Sequence, residues 1–148
     1  MNINMDDIEQ YLRKWQKNLR LQDWDIKIQT VEKEWNKTGD IKIDDNDRIA
    51  ILLINVFNPK QTNLEQLIIH ELLHLKLWGM DQMLENLVNN LYSSKDDAPK
   101  RNVVYSQYMT ILESTVNDLA KSFLEQGGND KTVSYGRLEN EIRNKLEE

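Results

Sequence analysis

The spacing of apolar residues changes twice along the chain, and that change limits what it can fold into. Met5, Ile8, Leu12, Trp15 and Leu19 recur at steps of three and four, with Asp6 and Asp7 where a helix N-terminus favours negative charge. From Trp24 the step falls to two. Trp24, Ile26 and Ile28 alternate with Asp25, Lys27 and Gln29, and a shorter alternation places Ile41 and Ile43 between Gly39 and Asp44. Beyond the turn-forming Asp44-Asp45-Asn46-Asp47, the stretch Ile49 to Val56 is apolar at nearly every position, the pattern of a strand covered by helices on both faces. Consecutive strands with short connections predict a small, mostly antiparallel three-stranded sheet in an α+β chain.

After Pro59 the helical period returns. Thr62 or Asn63 can cap a helix running through Leu64, Leu67, Ile68, Leu72 and Leu75 to Trp78, with Gly79 as its stop. A further helix is expected over Asp81 to Tyr92, then a charged, mobile, Pro-containing loop from Ser93 to Arg101, then a long helix from Val103 to Glu125. Gly127-Gly128-Asn129-Asp130 breaks that helix, and Tyr135 to Glu148 reads as a polar helical tail. A length of 148 residues suits one core, so residues 1–126 are expected to form a single domain and 127–148 a tail.

Composition narrows the chemistry. With 19 basic and 25 acidic residues the net charge is −6, the wrong sign for gripping phosphate backbones, so nucleic acid is not an expected partner. The start of the chain, Met1 to Asp7, shows no signal-peptide pattern, and no window reads as a membrane span; a cytoplasmic protein with no membrane partner is the expectation. The absence of Cys rules out disulfides, thiolate nucleophiles and Cys-ligated metals together. Any metal must be held by His and carboxylate.

The chain has 2 histidines, and both fall in one short segment of its most apolar helix: His70-Glu71-Leu72-Leu73-His74. Residues four apart project from the same helix face, close enough for two imidazole nitrogens to reach one zinc ion. In this HExxH arrangement, Glu71 occupies the position from which a carboxylate can take a proton from water activated by the metal. A pair of ordinary surface histidines would sit more naturally on a polar helix than between Ile69 and Leu75.

Catalytic zinc usually has three protein ligands and one open position. With no third His, the remaining ligand must be Asp or Glu, and Asp81, Glu85, Asp96, Asp97, Glu113 and Asp118 lie downstream. Glu113 lies at the margin of the apolar stripe formed by Met109, Leu112, Val116, Leu119, Ala120 and Phe123, where a carboxylate is costly without a partner. It is the preferred third ligand. Glu85 is the runner-up, on a helix that leaves the chain little room to turn back, and Asp81 is closer still. Tyr92, Tyr105 and Tyr108 are the phenols available to stabilise an oxyanion, Tyr105 being preferred. Trp24 and Trp35 read as packing residues, and Trp78 as a residue beneath the site.

An HExxH helix followed by a Glu on a later helix resembles the gluzincin arrangement of zincin metallopeptidases. Glu113-Ser114-Thr115-Val116-Asn117-Asp118-Leu119-Ala120 is similar to the E-x-E-A-N-x-F-A pattern of ImmA/IrrE-type peptidases: Glu113, Asn117 and Ala120 match, while Thr115, Val116 and Leu119 depart from it. The resemblance spans roughly Arg48 to Leu124. It implies a zincin-like fold and a zinc metallopeptidase, with Glu113 completing the ligand set of His70 and His74, and Glu71 as general base. It also implies that Asn117 supports a ligand and that the strand Ile49 to Val56 aligns an extended peptide or protein substrate by strand addition. Two other readings compete. One is a non-catalytic regulatory or interaction protein of a mobile element or phage that keeps the metal-binding fold; the other is a peptidase inhibited by its own tail, which truncation at Gln126 would activate.

Overall fold

A computed structural model describes residues 3–147. The ends of the chain beyond these, including the first two residues of the leader reading and the last residue of the tail, lie outside the described residues. The order is α1 (Met5–Asn18), β1 (Asp25–Val31), β2 (Gly39–Asp44), β3 (Ile49–Asn55), α2 (Leu64–Lys76), α3 (Trp78–Leu91), a 3-10 turn (Lys95–Asp97), α4 (Ala98–Gly127) and α5 (Gly136–Glu147). The architecture is α+β. No described helix is long and apolar enough to cross a membrane.

The sheet is mixed, which corrects the expectation of a mostly antiparallel one. Its order is β1-β3-β2, with β3 parallel to β1 and antiparallel to β2. The Asp44–Arg48 turn folds β2 onto β3 as a hairpin, with Arg48 at a positive φ of 55°. The connection after β1 does not turn back as a hairpin, so β3, the most apolar strand, inserts between the other two and takes the most buried place.

Period two still decides which side chains face inward. Ile26, Ile41, Ala50, Leu52 and Ile54 share one face and join the core with Ile8, Leu12 and Trp15 of α1, Ile68, Ile69 and Leu72 of α2, and Leu112, Val116 and Ala120 of α4. The other face is open. Ile49 is 45% and Ile51 37% exposed, so the reading of β3 as a strand covered on both faces is overturned: all the helices that reach the sheet lie on one side.

Several helix boundaries also differ, α3 among them, which starts at Trp78 rather than Asp81. α2 stops at Lys76 rather than Trp78, because Leu77 leaves helical geometry at φ −92° and ψ 2°; Gly79 is no stop but lies in the first turn of α3. The expected loop over Ser93 to Arg101 holds a 3-10 turn and then the start of α4, whose Pro99 occupies the first helical turn, where its missing N–H costs nothing.

The start of α2 is tied down by a buried carboxylate. Glu65 has no exposed side-chain surface, and its Oε1 accepts from Lys14 Nζ and Trp15 Nε1, both at 2.8 Å. Its Oε2 accepts from the backbone N–H groups of Asn129 at 2.8 Å and Asp130 at 3.0 Å. Asn63, the N-cap, accepts from Gln66 N–H and donates to the carbonyls of Asp130 and Thr132. One junction therefore joins α1, α2 and the segment after α4, and it fixes the axis of the helix that carries both histidines.

Candidate metal centre

α2 presents His70 and His74 on one face, and α4 runs along it with Leu112, Val116, Ala120 and Leu124 buried. That register leaves Glu113, between Leu112 and the next inward turn, opposite the imidazoles. His70 Nε2 and His74 Nε2 are 3.2 Å apart; Glu113 Oε1 lies 2.9 Å from His74 Nε2, and Glu113 Oε2 lies 3.4 Å from His70 Nε2. The structure thus brings together His70, His74 and Glu113, which among the described residues form a group able to hold a metal ion.

These separations test whether zinc fits. Ligand atoms about 2.0–2.1 Å from a tetrahedral ion lie roughly 3.3 Å from one another. The two imidazole nitrogens, 3.2 Å apart, match that edge; Glu113 meets His74 through Oε1 at 2.9 Å and His70 through Oε2 at 3.4 Å, and with one donor atom taken from each residue the three lie within 4.8 Å of one another. The donor chemistry agrees: two imidazole nitrogens facing each other at this distance need a proton or a cation between their lone pairs. Zinc accepts this nitrogen and carboxylate donor set.

The electrostatics favour positive charge at the same point. Hydrogen bonds with His70 and His74 hold the Glu113 carboxyl far below the usual range, against a smaller opposing effect of burial. Burial is the largest single influence on His74 and pulls it down. The hydrogen bond with Glu113 and the negative charges of Glu71, Glu113 and Asp81 together outweigh it and leave His74 raised.

Glu71 differs in kind from Glu113. It is buried, with its Oε1 3.9 Å from His70 Nε2, too far to share the cluster's hydrogen bonds. Burial pushes its carboxyl up, the nearby histidines pull it partly back, and Asp40 and Glu113 add to the rise. A carboxylate with a raised proton affinity beside a cation site is suited to accept and release a proton. The two acids therefore divide the work by environment: Glu113 is 47% exposed in its side chain and firmly ionised, while Glu71 is dry.

β2 approaches closest at Gly39. A Cβ there would stand 2.8 Å from Leu67 Cδ1, 3.3 Å from the Leu53 carbonyl and 3.4 Å from Glu71 Oε1, so the strand reaches the helix only because this residue lacks a side chain. Gly39 carries a signal legible in the sequence, since a glycine inside an alternating strand marks a close approach. Glu65 carries no such signal, because its partners lie far away in the chain.

Other candidates fall elsewhere. Glu85 Oε2 accepts from Gln82 Nε2 at 3.0 Å, and neither it nor Asp81, Asp96, Asp97 or Asp118 joins the cluster. The site's side-chain bonds run among His70, His74 and Glu113, and Asn117 is in none of them. Tyr105 and Tyr108 share the neighbourhood of Asp81; burial, then nearby acid charge, raises both phenols. Trp24 is a core residue, while Trp78 is only partly buried, at the start of α3. The chain matches no protein-family profile, no curated protein and no solved structure.

Proposed function

We propose that the chain is a small zinc-dependent metallopeptidase of gluzincin-like design, acting on peptide or protein substrates in the cytoplasm. The observation that carries this reading is the convergence of two Nε2 atoms and one ionised carboxylate beside a second, buried carboxylate that does not share their bonds. His70, His74 and Glu113 would hold the ion. Zinc, when bound, supplies a Lewis acid that polarises the scissile carbonyl and acidifies the attacking water. Glu71 takes the proton given up by that water and passes it to the leaving amine, and its burial keeps its basicity high enough for both transfers. No side chain becomes covalently attached to substrate.

Substrate alignment moves from β3 to β2 in this account. β3 is bonded on both sides and has no free edge, whereas β2 is an edge strand lying against α2 with Gly39 beside Glu71. An extended peptide added to β2 would bring its backbone past the base.

A second reading, a non-catalytic interaction protein that retains the metal site, is favoured by the apolar residues left exposed on two helices: Met80, Met83, Leu87 and Leu91 on α3, and Leu138, Ile142 and Leu146 on α5. Glu71→Gln separates the two. The peptidase account expects retained zinc and a loss of casein hydrolysis of about a hundred- to ten-thousand-fold. Undiminished hydrolysis would reject Glu71 as base, and no hydrolysis by the zinc-loaded wild type would favour the interaction protein.

A further inference from the structure

The free edge of β2 is already occupied by a side chain of the same strand. Asn55 N–H donates to the Thr38 carbonyl at 2.8 Å, which sets the phase of the β2–β3 ladder. Antiparallel pairs alternate, so Asp40, Lys42 and Asp44 turn their backbone groups toward β3, and Gly39, Ile41 and Ile43 present theirs to the open edge. Ile41 N–H does not point into solvent. It donates to Oδ1 of Asp40 at 2.9 Å. The other oxygen, Oδ2, is held by Lys42 Nζ at 3.2 Å and Lys37 Nζ at 3.3 Å, and the Asp40 side chain is only 22% exposed.

The environment keeps this carboxylate ionised. Burial is the largest single influence and raises Asp40, but the bonds and charges of Lys42, Lys37 and the Ile41 N–H outweigh it and leave the carboxyl below its ordinary value. A charge-assisted bond to a backbone donor is stronger than the neutral bond a peptide carbonyl would make in its place. Asp40 adjoins Gly39, so the occupied donor, Ile41 N–H, lies two residues from the point where β2 meets Glu71.

We propose that Asp40 is the residue a substrate strand must displace: its carboxylate holds the Ile41 N–H that a peptide carbonyl takes when an extended substrate adds to β2. The inference rests on the peptidase reading and deepens it at the substrate edge. It also defines the substrate class. A short peptide offers too few ladder bonds to compete with a tethered carboxylate, whereas an unfolded polypeptide segment that also bonds Gly39 and Ile43 gains enough to displace it. Asp40 is a positioning residue in this scheme. It sets how readily substrate is taken up and leaves the proton transfers to Glu71.

The test separates binding from turnover. Fluorescein-labelled β-casein, an unfolded polypeptide, is titrated with zinc-loaded Glu71→Gln protein with and without Asp40→Ala, and exchange of the Ile41 amide is followed by NMR. Loss of the carboxylate should speed Ile41 exchange and tighten casein binding about tenfold. Asp40→Asn, which keeps an acceptor oxygen, should bind within about twofold of its parent. If Asp40→Ala does not fold, the double variant Lys37→Ala/Lys42→Ala loosens the same carboxylate and should tighten binding to a lesser degree.

Faster Ile41 exchange with unchanged, weaker or undetectable casein binding would overturn the proposal. So would Asp40→Asn binding as tightly as Asp40→Ala, since charge rather than the bond would then be responsible. Dimerisation of Asp40→Ala without tighter casein binding would assign the residue to guarding the edge against self-pairing, and would overturn it too. Hydrolysis is not read in this experiment. A wild type that binds casein but never cuts it would reject the peptidase reading and leave the Asp40 result standing.

Discussion

His74 Nε2 lies 2.9 Å from Glu113 Oε1, so the contact that defines the site is also a bond between α2 and α4. Metal at this point would cross-link the two helices in the folded state alone, and a ligand that binds only the folded state stabilises it by mass action. Removing zinc with EDTA should lower the melting temperature by roughly 5–10 °C when the ion was present at about a hundred times its dissociation constant. Calorimetry with and without chelator checks this. An unchanged transition would mean that no cation bridges the helices.

Glu65 gives the fold a pH-dependent joint remote from the metal. Its burial favours the neutral form and is the largest single influence, but bonds from Lys14, Asp130, Trp15 and Asn129 outweigh it and lower the folded-state carboxyl. A depressed carboxyl contributes stability that is complete above its ordinary value of 4.5 and is lost as pH falls through the lower folded value. Glu65→Ala should therefore cost roughly 3 kcal/mol at neutral pH, with the gap from wild type closing as pH falls below about 4. Urea unfolding at pH 7 and pH 3 measures both. A gap of equal size at the two values would contradict the assignment.

The same junction decides what a tail truncation reports. Cutting after Gln126 removes the Asn129 and Asp130 donors to Glu65 and the carbonyl partners of Asn63, so it should lower the melting temperature, and any change in hydrolysis would be mixed with that loss. Ending the chain after Tyr135 removes α5, of which only Gly136 is buried, and keeps the junction. This shorter truncation should melt with the full chain. Raised hydrolysis by the protein lacking α5 would support self-inhibition by the tail; an unchanged rate would reject it for that helix.

Gly39→Ala probes the approach of β2 to the base. The added methyl must displace Leu67 and press on the Leu53 carbonyl, overpacking that should cost about 1–3 kcal/mol. Glu71, next in line at 3.4 Å, should shift with Leu67, so hydrolysis should fall while bound zinc is retained. Metal analysis and casein hydrolysis of the same preparation separate the two effects. A variant that lost its zinc would show that β2 supports the ligands rather than the base.

Much of this arrangement can be read from residue order, and the parts that cannot share a physical cause. Periodicity places α1, the three strands and the stripe of α4, because each depends on neighbours within a turn or two. Glu113 stands out on the same grounds, as a carboxylate beside an apolar stripe. Strand order is different: alternation tells which face Ile41 or Leu52 takes but not which strand lies beside it, and the place of β3 between β1 and β2 rests on pairings far apart in the chain. The break between α2 and α3 has no proline or left-handed glycine to announce it. Glu65 reads as an ordinary first-turn acid until Lys14 and Asn129 are seen to converge on it.

The most direct test of the central claim is the zinc content of purified wild type, His74→Ala, Glu113→Ala and Glu85→Ala, determined by elemental analysis beside circular dichroism to show that each is folded. The account expects one ion per wild-type chain, the same for Glu85→Ala, and at least a tenfold weaker hold on zinc in folded His74→Ala and Glu113→Ala. A folded wild type that binds no zinc, or a Glu113→Ala that keeps its ion while Glu85→Ala loses it, would contradict the assignment of His70, His74 and Glu113 as the metal centre.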